Sequence, residues 1–288
     1  MPPDPVELNE RGRALADKGW LAEAETAYRQ AIAADPTWSV PHYNLGLLLK
    51  YQHRWPESLA VYRRATDLAT DDGDSWWNLG IAATAVGDWV TARQAWFRCG
   101  LQIPPGEGPP ECDYGVVPIR LNPETDGEVV WGRRIDPARA VLESIPFAAS
   151  GFRWRDMVLH DGAANGYRIR NGREVPVFDA LERLAESPYA TWEVQAEIDS
   201  VADFEVLQEL AEAGGGAAEN WATTVTMLCR ACSEGRPHRV HDTDRSADTR
   251  RLPCAIAALD EAQVDRILAA WKGRLPHIKV LERWLVTP

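Results

Sequence analysis

The sequence predicts a multidomain protein: an N-terminal array of α-helix pairs, a small β-rich subdomain, and an α+β domain of βαββαβ order. Three observations predict it. Glycines at positions 12, 46 and 80 recur every 34 residues, a period that belongs to stacked helix pairs. After residue 111 the helical spacing of apolar residues gives way to short alternating runs. From residue 188 onward, strand-like and helix-like segments follow one another in turn.

A chain of 288 residues exceeds one ordinary domain and suits two or three. Its 45% hydrophobic content is enough for real cores. The formal net charge of −12 repels phosphate backbones and anionic lipid surfaces, so neither nucleic acid nor membrane is an expected partner. No apolar run approaches the roughly 20 residues of a membrane helix. The start, MPPDPVELNE, lacks the basic and apolar regions of a secretory signal. Five cysteines over this length do not form a disulfide framework. The expectation is a cytoplasmic protein, and the preference for arginine over lysine hints at a bacterial genome of high GC content.

Each of the three glycines is followed at fixed offsets by a small residue, an aromatic and another small residue. These are Ala24, Tyr28 and Ala31; then Ser58, Tyr62 and Ala65; then Ala92, Trp96 and Cys99. Each unit reads as two amphipathic helices, at about 5–18 and 21–34, 39–52 and 55–68, and 73–86 and 89–102. Asp35-Pro36 and Ile103 to Pro105 stop their helices, because proline lacks the donor and clashes with the preceding turn. Small residues let two helices cross closely, and the aromatic fills the space between one pair and the next.

This pattern resembles the tetratricopeptide repeat (TPR) family, in three copies over residues 5–104. Trp76, Leu79, Gly80, Ala92, Trp96 and Pro104 carry the resemblance best. The second repeat departs from it, with His42 in place of the tryptophan and Ser58 in place of the alanine. The first has Leu8 at the tryptophan position. The resemblance implies an α-solenoid whose first helices line a concave groove that holds a protein or peptide partner. On those helices Val40, Tyr43, Leu47 and Lys50 form one stripe; Asp74, Trp77, Ile81 and Thr84 form the next, with Asn9 and Arg13 as counterparts in repeat one. Asn44 and Asn78 are equivalent, and an amide can both donate to and accept from a peptide backbone. The expected partner-binding set is therefore Asn9, Arg13, Tyr43, Asn44, Leu47, Lys50, Trp77, Asn78 and Ile81. Packing of Tyr43 and Trp77 on adjacent helices, and local capping by the asparagines, is the alternative. Other family members hold a C-terminal carboxylate with a cationic clamp. Asp74 stands where such a clamp wants a cation and speaks against a chaperone tail.

The helix at 89–102 carries Trp89, Trp96, Phe97 and Leu101 with no polar capping helix after it, so the C-terminal half or a second chain is expected to cover it. Residues 105–110 are a linker, in a Pro-Gly-rich stretch that cannot be helix. Residues 111–187 read as the β-rich subdomain, with strands at 128–135, 138–145, 156–162 and 166–170. Segment VPVFDALERLAES reads as a strand and a short helix. Residues 188–288 read as strand 191–198, helix 201–214, strands 221–229 and 252–259, a helix capped by Asp260, and strand 277–286. That order is the ferredoxin-like plait, with a hairpin inserted at 229–250; it hosts many functions and decides none.

Inside that hairpin Cys229, Cys232, His238 and His241 form C-x2-C-x5-H-x2-H. Thiolate and imidazole are zinc's preferred donors, and four protein ligands would make a closed, structural site. The two-residue gap between the histidines is shorter than usual, and ordinary buried cysteine and exposed histidine is the competing reading. His160-Asp161, Gly214 to Gly216 and Cys254 read as strand end, helix cap and core, and no catalytic residue stands out. The functional expectation is an adaptor or regulatory protein that binds a partner through its repeats, with a C-terminal effector domain stabilised by zinc. The alternative is an enzyme or small-molecule sensor whose activity resides in the C-terminal α+β half.

Overall fold

The computed structural model describes residues 4–125, 127–170, 173–221, 226–227 and 251–287. The chain divides into two compact units: Met1–Cys112 with Asp136–Ala138, and Asp113–Ile135 with Arg139–Pro288.

In the first unit, three helix pairs follow one another: α1 (Pro5–Ala16) with α2 (Leu21–Ala34), α3 (Ser39–Tyr51) with α4 (Trp55–Leu68), and α5 (Gly73–Ala85) with α6 (Trp89–Arg98). Asp4, Asp72 and Asp88 cap α1, α5 and α6 by accepting from backbone amides of their first turns. Within each pair the repeat glycine lies under the repeat aromatic. A Cβ on Gly12 would come within 2.5 Å of the Tyr28 ring, on Gly46 within 2.7 Å of Tyr62, and on Gly80 within 2.5 Å of Trp96. The aromatic thus closes the crossing inside its own pair. Tyr28 also packs with Leu45, Leu48 and Leu49 of the next pair, so one ring serves both contacts.

The first helix of every pair ends in the same way. Gly19, His53 and Gly87 stand at equivalent positions with φ of 76°, 58° and 74°. The residues after them donate back to Leu15, Leu49 and Ala83 carbonyls, the pattern that closes a helix through a left-handed residue. Helix α6 ends at Arg98 rather than 102, because Gly100 takes φ 79° and Leu101 N donates to the Trp96 carbonyl at 2.9 Å. The linker backbone is then tied to α6: Arg93 donates to the carbonyls of Pro104 and Gly108. Val90 and Phe97 on α6 remain 66% and 76% exposed.

The second unit is strand-rich, with two sheets. In the first, β1 (Val116–Leu121), β2 (Glu128–Arg134), β3 (Arg139–Leu142), β4 (Met157–Arg170) and β5 (Arg173–Ala185) pair antiparallel in sequence order, and β1 pairs with β5 in parallel. Four antiparallel steps leave β5 running in the direction of β1, so this meander can close only through a parallel pair. Closure removes the exposed edges. The interior holds Ile119, Leu121, Val130, Leu142, Val158 and Phe178. Three expectations are corrected here. Val116–Leu121 is a strand that the sequence hides behind Pro118. Strands 156–162 and 166–170 are one strand, β4, with register shifts along it. Segment 179–185 is strand, not helix: its helix-forming residues are overridden by pairing with β4, which buries Val177, Phe178 and Ala180.

The second sheet has the order β10-β6-β9-β7, every neighbour antiparallel, from β6 (Ala190–Glu197), β7 (Ala217–Asn220), β9 (Arg251–Ala258) and β10 (Lys279–Thr287). Helices α7 (Val201–Ala213) and α8 (Glu261–Arg274) cover one face, where Phe204, Leu207, Ile267 and Trp271 meet Val194, Cys254 and Ile256. The other face, with Ala255 and Ala257, packs on Ile145 and Trp154 from the first sheet's side. Both faces of β9 are therefore buried, which explains its unbroken apolar run. Of the strand expected at 221–229, the described pair Thr226–Met227 forms a short strand, β8, that joins β2 of the barrel; in the second sheet Ala217–Asn220 pairs with β9. Strand β7 begins immediately after the Gly214–Gly216 turn, and its Glu219 and Asn220 disguise it as loop.

Candidate functional site

The expected binding residues lie on α1, α3 and α5, the first helices of the three pairs. Their polar members are largely engaged with one another. Asn44 Nδ2 donates to Asn9 Oδ1 at 2.9 Å, joining α3 to α1. Lys50 Nζ donates to Asn78 Oδ1 at 2.9 Å, joining α3 to α5, and Asn78 Nδ2 donates to the Asp74 carbonyl at 3.0 Å. The Asn78 amide thus has both ends occupied. Asn9, Lys50 and Asn78 are buried, and Ile81 is fully so, so these four do not present side chains to solvent. A buried polar group without a partner costs more than a made hydrogen bond returns, and this ladder meets that need across the repeats.

Arg13 is exposed and pairs with Glu10 at 3.2 Å. Tyr43, Asn44, Leu47 and Trp77 are half-buried. Tyr43 and Trp77 are each braced by the aromatic of their own repeat: Tyr43 stands edge-on to Tyr62 with centroids 6.0 Å apart, and Trp77 to Trp96 at 5.2 Å. Packing and presentation are thus combined in the same two rings.

Beside Tyr43 is a feature the stripe pattern did not reveal, a cavity of about 120 Å³ lined by Ser39, Val40, Tyr43, Asp72 and Asp74. It joins the start of α3 to the start of α5. Asp72 is committed as the α5 cap, accepting from Asp74 N at 3.1 Å and from the Ser75 hydroxyl. Asp74 is exposed. The sequence signal for this cavity was present in Asp74, but Ser39 and Asp72 read only as helix-start residues.

At the tryptophan position, Trp76 donates from Nε1 to the Thr70 carbonyl at 2.9 Å, pinning the turn before α5. His42 takes that position in the second repeat and is buried; burial is the largest cause holding its pKa below the usual histidine value. Cys229, Cys232, His238 and His241 lie outside the described residues.

A family model described as tetratricopeptide repeat matches residues 43–107. The chain therefore carries a segment of tetratricopeptide repeats. Similar solved structures include the second TPR of Spaghetti (RPAP3) bound to the HSP90 peptide SRMEEVD: 20% identity, TM-score 0.32, covering 33% of this chain and 89% of that one. The Sgt2 TPR domain from Aspergillus fumigatus is similar at 19% identity and TM-score 0.31, covering 33% and 63%. The TPR2B domain of yeast Sti1 in complex with pHsp70 is similar at 19% and 0.31, covering 33% and 76%. No curated protein matches the chain. No helix among the described residues is long and apolar enough to cross a membrane.

Proposed function

We propose that the protein is a cytoplasmic adaptor whose repeats hold a segment of a partner protein through Arg13, Tyr43, Asn44, Leu47 and Trp77. One observation carries this reading: Tyr43 and Trp77 are half-buried rings that keep part of their surface open, each propped by its own repeat's core aromatic. Aromatics braced in this way anchor peptides at small entropic cost. The exposed carboxylate of Asp74 beside Tyr43 selects a neutral or basic segment and disfavours an acidic tail such as the SRMEEVD peptide bound by the Spaghetti repeats. The test is peptide-array binding followed by fluorescence polarisation. Tyr43→Ala should weaken the best peptide by about tenfold, and Asp74→Lys should reverse the preference for basic peptides. Unchanged affinity in both variants overturns the reading.

The effector is read as residues 111–187 plus a ferredoxin-like plait over 188–288. The strand order β10-β6-β9-β7 with α7 and α8 as the two crossovers supports the plait. Structural zinc at Cys229, Cys232, His238 and His241 rests on donor chemistry and spacing. Metal analysis of the purified chain should find about one zinc per chain, and none would end that part of the reading.

A further inference from the structure

The second unit contains a cleft of about 780 Å³ on the flank where the barrel meets the four-stranded sheet. That size falls in the range of small-molecule sites. Trp131, Trp154 and Tyr189 line it, together with Glu143, Glu212 and Glu219. Arg155 is the one cationic residue among the described residues that line it.

Two of the carboxylates are held in place by the fold. Glu219 on β7 is buried and accepts from the Ile145 amide, and Glu143 at the end of β3 accepts from Arg133 Nε at 2.7 Å. Glu212, near the end of α7, is exposed at the mouth. The Glu143–Arg133 ion pair is neutral overall, so it is Glu212 and Glu219 against Arg155 that leave the lining net negative, a field that low-dielectric walls strengthen. The aromatics complete the pattern. Trp154 and Tyr189 meet edge to face with centroids 4.5 Å apart. The face of Trp154 already carries a cation: the Arg155 guanidinium lies 4.9 Å from its centroid. Arg155 reaches it from a backbone with φ 71°, a left-handed conformation that costs a non-glycine residue free energy and that the surroundings must impose.

We propose that this cleft binds a small organic cation with an apolar body, and that Arg155 is the internal cation such a ligand displaces from Trp154. The inference is independent of the repeats and stands whether or not they hold a partner.

Calorimetry on the full chain tests it with three butyl-bearing probes of different charge: butylguanidinium, the neutral butylurea and the anionic pentanoate. Butylguanidinium should bind saturably and at least about tenfold tighter than butylurea. Glu212→Gln, an exposed change, should weaken it about threefold. Arg155→Gly relieves the backbone, frees the Trp154 face and removes a like charge, so it should tighten binding about threefold. Equal binding of butylurea, a preference for pentanoate, looser binding in Arg155→Gly, or no saturation by any probe up to about 10 mM would each overturn the proposal.

Discussion

The two units are specified at different ranges along the chain. In the repeats, the contact that closes each helix pair joins residues 16 apart: Gly12 to Tyr28, Gly46 to Tyr62 and Gly80 to Trp96. In the second unit, the contacts that hold the sheets together join distant residues. Trp221 Nε1 donates to the Ile145 carbonyl at 2.9 Å across 76 positions, and Ile119 pairs with Phe178 across the barrel closure. A rule repeated three times at short range reads as a period. A rule used once at long range leaves no period to read.

The largest expected effect attacks the short-range rule. Alanine favours a helix over glycine by about 1 kcal/mol, so Gly80→Ala would stabilise α5 if propensity governed. The Trp96 ring, fully buried 2.5 Å from the would-be Cβ, makes the opposite outcome the expected one. Overpacking should destabilise the repeats by a net amount of about 2 kcal/mol, read as lost helical circular dichroism in urea. Gly73→Ala is the internal control: nothing lies within 4 Å of its Cβ position, and its effect should be neutral or slightly stabilising. Equal effects at the two positions would mean that the glycine-aromatic crossing does not set the register.

The next effect probes the long-range unit, where buried carboxylates take the place of repeated packing. Glu128 and Glu219 both accept from the segment Ile145–Phe147: Glu219 from Ile145 N, and Glu128 from Phe147 N at 3.0 Å. Burial pushes the Glu128 carboxyl up to about 7, and the neighbouring Glu219 charge adds to it, against the Phe147 hydrogen bond. A folded pKa above the unfolded value of 4.5 means the folded state favours the proton. That stability is fully present below pH 4.5 and is lost as pH rises through 7. Glu128→Gln keeps an acceptor for Phe147 and removes the charge. It should stabilise the second unit by about 2 kcal/mol at pH 8, with the gain vanishing below pH 4.5 in thermal melts followed by near-ultraviolet circular dichroism. His160 works in the opposite direction. Burial holds its pKa down at about 4, so its contribution is present above 6.5 and lost as pH falls through 4. A gain from Glu128→Gln that does not depend on pH would assign the effect to packing instead.

The same contrast shows what could be read from the residues alone. All six helices of the repeats were legible, because capping aspartates, stop prolines and a 34-residue period agree at every level. Helix α6 was overextended only because Gly100 gave no sign that it would turn left-handed. On the proposed binding face, Tyr43 and Trp77 were legible from helical spacing. The burial of Lys50, Asn78 and Ile81 was not, because spacing gives a residue's direction and not what lies above it. In the second unit, β2 and the apolar run of β9 were visible as strands, whereas β1 was masked by Pro118 and the end of β5 by helix-forming residues. The cleft's walls come from separate segments of both sheets, and no local pattern links Trp131 to Glu219.

The smallest effect sharpens the comparison from within the repeats, at the one place where the repeated rule is broken. Gly19 and Gly87 end α1 and α5 with positive φ, and the equivalent residue after α3 is His53 at φ 58°. A side chain there meets the following carbonyl, at a cost of about 1 to 2 kcal/mol that glycine does not incur. The His53 ring recovers part of this against Trp55, with centroids 5.8 Å apart. Glycine also has more freedom to lose from the unfolded chain. His53→Gly should therefore raise the urea midpoint by a margin worth about 0.5 to 1 kcal/mol, with His53→Asn between the two, since asparagine tolerates this backbone better than histidine. If His53→Gly lowers the midpoint, the Trp55 contact outweighs the backbone cost. The second repeat would then be held by a contact that the other two lack, and the three ends would be alike in shape but not in cause.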